Sequence, residues 1–331
     1  MGLLRFFLAA LVLVSHLSVG IQGYNLGVIA VIVFYLLAGQ VVARLWASIQ
    51  HQPNAFMFFA RDRLLRILPQ YYAAIILAAL VWWKFSPISN FLPTNPSGLD
   101  WAANLTIIPL NFFMFTELDS FMLIPPAWSL GAELQFYLLT PLIFSLVASR
   151  LWLIFFFSIG VFLLAQFGLL HTDYFGYRLL PGILFIFLLG SALAESSTLY
   201  PRNKYQKLAL TGAWLAIVAY GLSLLWIQDH QPFRVEVAVG LALGLPLVVL
   251  LQRHPGKARW LKVLNRRAAE TSFGIFLYHF PVIWTLQSLG QPYTGIWAIP
   301  AVLFFSVLLA LAGHWCIERP LWRYLRPRVL V

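Results

Sequence analysis

Ten runs of apolar residues, each about long enough to cross a bilayer, fill most of this 331-residue chain. A hydrocarbon core about 30 Å thick takes roughly 17–25 residues of helix to span. With no water there to satisfy backbone N–H and C=O groups, only a few folds are possible. The runs near 4–20, 25–45, 68–85, 130–148, 151–169, 178–195, 207–227, 234–251, 271–289 and 296–317 are read as helices. The expected fold class is therefore all-α: a polytopic integral membrane bundle of about ten transmembrane helices. Only 10% of residues are charged and 61% are hydrophobic, against about 25% charged in soluble domains. The longest polar loops are too short for a soluble domain, so residues 1–331 are expected to form a single transmembrane domain. Cys316 is the one cysteine, which excludes an internal disulfide framework and a cysteine-cluster metal site; no metal site is expected.

The net charge of +11 would suit a nucleic-acid partner in a soluble protein. In a membrane protein it reads instead as the excess of Lys and Arg in cytoplasmic loops, and no nucleic acid is expected. The charge also fixes an orientation. An eleventh apolar stretch, 101–116, is short and contains Asn104, Pro109 and Asn111. If it does not cross and the N-terminus is cytoplasmic, every Lys and Arg except Lys84, Arg178 and Arg234 falls inside. If it crosses, the asymmetry collapses. Both termini are thus expected in the cytoplasm. Segment 86–129 becomes an outward-facing excursion with a re-entrant or surface helix. A cleaved leader is the rival reading of the first run, but His16 interrupts it and no small-residue cleavage site follows.

Ionisable groups inside spans are costly and usually face a protein interior or a cavity. Arg5 and His16 lie eleven residues apart in the first run. Eleven helical steps rise about 16 Å and return to within about 20° of the starting direction, so the two share a face. Histidine suits general-base work near neutral pH. The plainer reading is a surface anchor and a packed histidine. A second group is Arg61, Arg63 and Arg66 in FFARDRLLRILP. Arg63 and Arg66 share a helix face, and guanidinium forks bind phosphates; anionic lipid headgroups are the alternative ligand. A third is PPAWSLGAELQFY, with Trp128 and Ser129 at a helix start and Glu133 about one turn in. Glu133 is read as orienting an imidazole or accepting sugar hydroxyls, and the plainer reading is a solvated carboxylate at the outer rim. Tyr278 and His279 form a polar pair inside the ninth run. Glu318 ends the tenth, where pairing with a basic neighbour and a structural role are expected.

These motifs stand in a recognisable order: R-x10-H; Gly27-Val28 with FYLLAG through Gly39; R-x-x-R-I-x-P; W-S-L-x-x-E-x-x-F-Y-x-x-x-P; S-F-G-I-F-L-Y-H-x-P; and I-E-R-P. Together they resemble acyltransferase family 3 over nearly the whole chain. The resemblance implies an O-acyltransferase of a bacterial inner membrane. Its co-substrate would be cytoplasmic acyl-CoA, commonly acetyl-CoA. Its acceptor would be a hydroxyl of a carbohydrate such as a surface polysaccharide or lipid-linked glycan, or a small molecule in some members. By the same resemblance Arg5, His16 and Glu133 are catalytic candidates. Arg61, Arg63 and Arg66 would lie on the acyl-CoA, and His279, Tyr278, Trp128 and Ser129 are further candidates. His16 would act as a general base or carry the acyl group. The chain departs from the pattern at Ala38 and Gly313, where serines are common. A transporter or flippase for a glycan or lipid precursor is the competing class. Against it stand the absence of a detectable inverted repeat and of an acidic residue deep in a span.

Overall fold

A computed structural model describes residues 1–20, 23–92, 95–116, 120–197, 199–201, 203–253 and 258–325. Arg202, Lys257, Arg326 and Arg328, counted above on the inner side, lie outside the described residues, as do 93–94 and 117–119 of the excursion. The α-helices are α1 (Gly2–Ser15), α2 (Leu26–Ile49), α3 (Ala55–Phe85), α4 (Gly98–Thr106), α5 (Phe113–Thr116), α6 (Ala127–Phe144) and α7 (Ala148–Gln166). They continue with α8 (Leu180–Ala192), α9 (Lys204–Trp226), α10 (Arg234–Arg253), α11 (Arg259–Ser288), α12 (Ile299–Gly313) and α13 (Arg319–Leu325). No strand occurs among the described residues. Single π turns precede α8 and α13.

All ten expected spans are helical, but among the described residues seven segments are long and apolar enough to cross a membrane by length and composition. These are α2, α3, α7, Tyr174–Ala192, α9, α10 and Ile296–Leu325. α1 has 14 residues, about 21 Å. α6 and α11 are interrupted by polar side chains, among them Glu133 and His279. α1 also stops earlier than the apolar run suggests. Ser18 adopts φ 61°, and the Leu17 carbonyl accepts from the Gly295 amide at 2.6 Å.

Met1–Gly20, Ala60–Ala132 and Gly256–Val331 form one compact unit; Ile21–Phe59 and Glu133–Pro255 form another. In the first, α1 runs parallel to α11. At one end Gly2 lies so close that an added Cβ would sit 1.8 Å from the Asn265 carbonyl oxygen, and the Leu3 amide donates to the Asn265 side chain at 2.9 Å. Fourteen residues on along both helices, His16 meets His279. α12 packs on α11 where Gly274 faces Ala310. The stretch 101–116 is not one helix. α4 spans 9 residues, the chain breaks at Ile107 (φ 67°), and Pro109 enters a 3-10 turn. Asn104 is buried and ties this excursion together: its amide donates to the Asp100 and Phe121 carbonyls at 2.9 Å, and its oxygen accepts from Leu123 at 2.9 Å. Its own carbonyl accepts from the Tyr71 hydroxyl of α3 at 2.7 Å.

In the second unit α2 is sandwiched by α8 and α10. Glycines permit the approach, as small residues do between membrane helices. A Cβ on Gly39 would lie 1.9 Å from the Phe187 carbonyl oxygen, and one on Gly190 2.0 Å from that of Leu36. Gly39→Ala is therefore expected to cost about 1–3 kcal/mol through overpacking, seen as a lower melting temperature in detergent. Gly160→Ala, where a Cβ meets nothing within 4 Å, serves as the control and should leave melting unchanged.

Candidate active site

The described groups that can act on a substrate gather along α1, α3, α11 and the end of α12. The basic end of the first unit comes first. α3 and α11 have 31 and 30 residues, about 45 Å each, so each outruns a hydrocarbon core. Their excess carries Arg61, Arg63 and Arg66 on α3, and Arg259, Lys262, Arg266 and Arg267 on α11. Arg63 is held by its neighbour Asp62, whose buried carboxylate accepts from Nε at 3.1 Å and from Nη2. Arg66 donates to Glu318. Glu318 is buried and also accepts from the Gln70 amide at 2.7 Å and meets His314 Nδ1 at 2.9 Å. The π turn His314–Glu318 places both side chains of that last contact on one side. Trp315 of the same turn lies under the guanidinium of Arg319, 4.2 Å from the ring centroid, and that of Arg267, at 5.4 Å. Arg61 is exposed.

Arg5 lies one turn from the close contact between Gly2 and Asn265, at this same end, and is half-buried. His16 is at the far end of α1, where it caps the helix. It is exposed. Its ring lies 5.4 Å from that of His279, at 22°. Phe280 packs against both imidazoles, at 4.8 and 5.0 Å.

The remaining expected residues are placed as follows. Glu133 belongs to the second unit, half-buried, and accepts from the Tyr137 hydroxyl one turn on. Ser129 is buried with its hydroxyl donated to the Pro126 carbonyl at 2.9 Å, which makes it part of the helix start. Trp128 is half-buried. Tyr278 fills the room left by Gly313, where a Cβ would lie 2.7 Å from its hydroxyl; a serine at 313 would displace it. The expected pairing of Glu318 with a basic residue is present. Asp62, Gln70 and His314 were not singled out from sequence. Their signals were a carboxylate between two arginines and a His-Glu pair at i, i+4.

The order of these motifs has a counterpart among known proteins. The family model described as an acyltransferase domain matches residues 1–315.

The chain belongs to acyltransferase family 3.

An uncharacterized protein of Aquifex aeolicus (strain VF5) is 32% identical to this family 3 acyltransferase over 204 residues, 59% of this chain and 84% of its own. Acyltransferase MdmB of Streptomyces mycarofaciens is 31% identical over 136 residues, 39% of this chain. The match spans about a third of that relative (32%). No solved structure matches. Membership and the apolar helices together make the chain an integral membrane acyltransferase.

Proposed function

We propose that the protein moves an acyl group, commonly acetyl, from cytoplasmic acyl-CoA to a hydroxyl of a carbohydrate such as a surface polysaccharide or lipid-linked glycan. The observation that carries this reading is the spacing along α1. Arg5 stands at an end rich in guanidinium groups, and His16, an exposed residue, lies about 16 Å further along the axis. That separation suits a long ligand whose phosphates and reactive carbonyl are far apart, as in an acyl-CoA. On this reading Arg5 serves the phosphate-bearing part rather than the thioester. Arg63 and Arg66, oriented by Asp62 and Glu318, bind phosphate beside it, with Arg61 contributing charge at the surface.

In the transfer, His16 takes the proton of the acceptor hydroxyl as its oxygen attacks the thioester carbon. The C–S bond breaks, and the thiolate leaves with the proton returned by the imidazolium. Ten spans with both termini cytoplasmic, in a bacterial inner membrane, give donor and acceptor access from opposite sides. The exposed faces of α9 and its neighbours then contact lipid.

The test is reconstitution with labelled acetyl-CoA and a panel of glycans. Label in the glycan supports the reading; glycan flux without CoA supports the transporter class instead. In the same assay Arg63→Ala is expected to raise the apparent KM for acyl-CoA about tenfold, the loss of roughly 1.5 kcal/mol from one charge-assisted hydrogen bond. An unchanged KM with normal turnover would assign the arginine motif to lipid headgroups.

A further inference from the structure

His279 is fully buried, on a stretch of α11 otherwise filled by Ile275, Phe276, Leu277 and Phe280. Its Nδ1 lies 3.0 Å from the Ile275 carbonyl oxygen. A carbonyl only accepts, so Nδ1 carries the ring proton and Nε2 is a bare lone pair. That Nε2 is buried with no hydrogen-bond partner. Such an atom costs about 1–3 kcal/mol, and leucine or phenylalanine would fill the place without it. The His279 ring is stacked on that of His16, with the centroids 5.4 Å apart at 22°.

We propose that His279 is a positioning residue for acyl transfer, whose fixed Nδ1–H tautomer sets an Nε2 lone pair beside His16 and stabilises the imidazolium formed there. Two imidazoles this close are not both cationic in a medium of low dielectric constant. Full burial keeps the His279 ring neutral, the Ile275 carbonyl holds its one proton on Nδ1, and the hydroxyl proton is left to His16. The negative end of the neutral ring then serves the cation while the acceptor oxygen attacks, until the proton passes to the departing thiolate. Phe280, against both rings, limits their rotation. His279 touches neither substrate, since its ring has no accessible surface; it acts through His16. This inference rests on His16 being the proton acceptor.

The experiment compares His279→Asn and His279→Gln with wild type and His16→Ala, in the reconstituted full chain with labelled acetyl-CoA. Asparagine keeps a donor where Nδ1 stood but nothing at the Nε2 position; glutamine keeps a polar atom at the Nε2 position. His279→Asn is expected to lower kcat about 100-fold, and His279→Gln by less than tenfold, both with unchanged KM for acetyl-CoA and unchanged melting temperature. Wild-type kcat in His279→Asn overturns the proposal. So do equal losses in both variants with lowered melting temperatures, which mark a packing role. An inactive His16→Ala beside a fully active His279→Asn overturns this inference alone, whereas a fully active His16→Ala removes the reading of the site itself.

Discussion

Replacing His16 with alanine is expected to lower turnover by about 10²–10⁴-fold, the usual contribution of a positioned general base. The KM for acyl-CoA should change little. The cap position explains why the two effects separate. His16 is eleven helical steps from Arg5 and further still from the guanidinium groups at the basic end, so its loss leaves the phosphate contacts intact. The residue is exposed rather than part of a packed interior, so folding should survive its truncation. Initial rates with labelled acetyl-CoA measure the first effect, and acyl-CoA-dependent thermal stabilisation of the variant measures the second. Stabilisation without turnover is the expected pair. Incubating wild type with labelled donor and no acceptor separates the two histidine chemistries: protein-bound label marks His16 as an acyl carrier, and its absence marks a base.

The second large effect is expected at Glu318. This carboxylate holds Arg66, accepts from Gln70 and meets His314, so it joins α3 to the end of α12. Removing one partner of a buried ion pair costs roughly 3–5 kcal/mol. Arg66 is partly exposed, which brings the expected loss from Glu318→Ala to about 2–3 kcal/mol. Thermal unfolding in detergent measures that loss. The same variant releases the Arg66 guanidinium, so kcat/KM for acyl-CoA should fall about 10–100-fold, more through KM than through kcat. Glu318→Gln keeps hydrogen-bonding atoms without the charge and should recover most of the melting temperature but little of the KM. An equal recovery of both would place the role of Glu318 in folding alone.

Much of this was legible along the chain. The apolar runs of α2 and of α6 to α10 fall within a few residues of their helices because length and hydropathy act locally, whereas α3 begins at Ala55, well before its run. The polar residues of 101–116 forecast a broken segment for the right reason: Asn104 is committed to three backbone partners, and the break falls beside Pro109. The early end of α1 was not legible. Leu17 and Val19 extend the apolar run, and what stops the helix is a contact with Gly295 from the far end of the sequence. The same holds for the site. Arg5, His16 and the arginine motif were visible as unusual residues in apolar surroundings. The meetings that organise them, Arg66 with Glu318 and His16 with His279, join residues more than 250 positions apart, and spacing carries no record of those. Asp62 was overlooked because a carboxylate between two arginines reads as an ordinary charged surface until its burial is known.

The parallel course of α1 and α11 has a consequence for how such a chain can change. Gly2 and Asn265 mark one end of a ruler, His16 and His279 the other, with fourteen residues between the marks on both helices. One residue inserted between the marks on either helix would carry its histidine about 1.5 Å along and swing it about 100° around the axis. Substitutions can accumulate on both scales, but insertions and deletions cannot, unless both helices gain or lose the same length together.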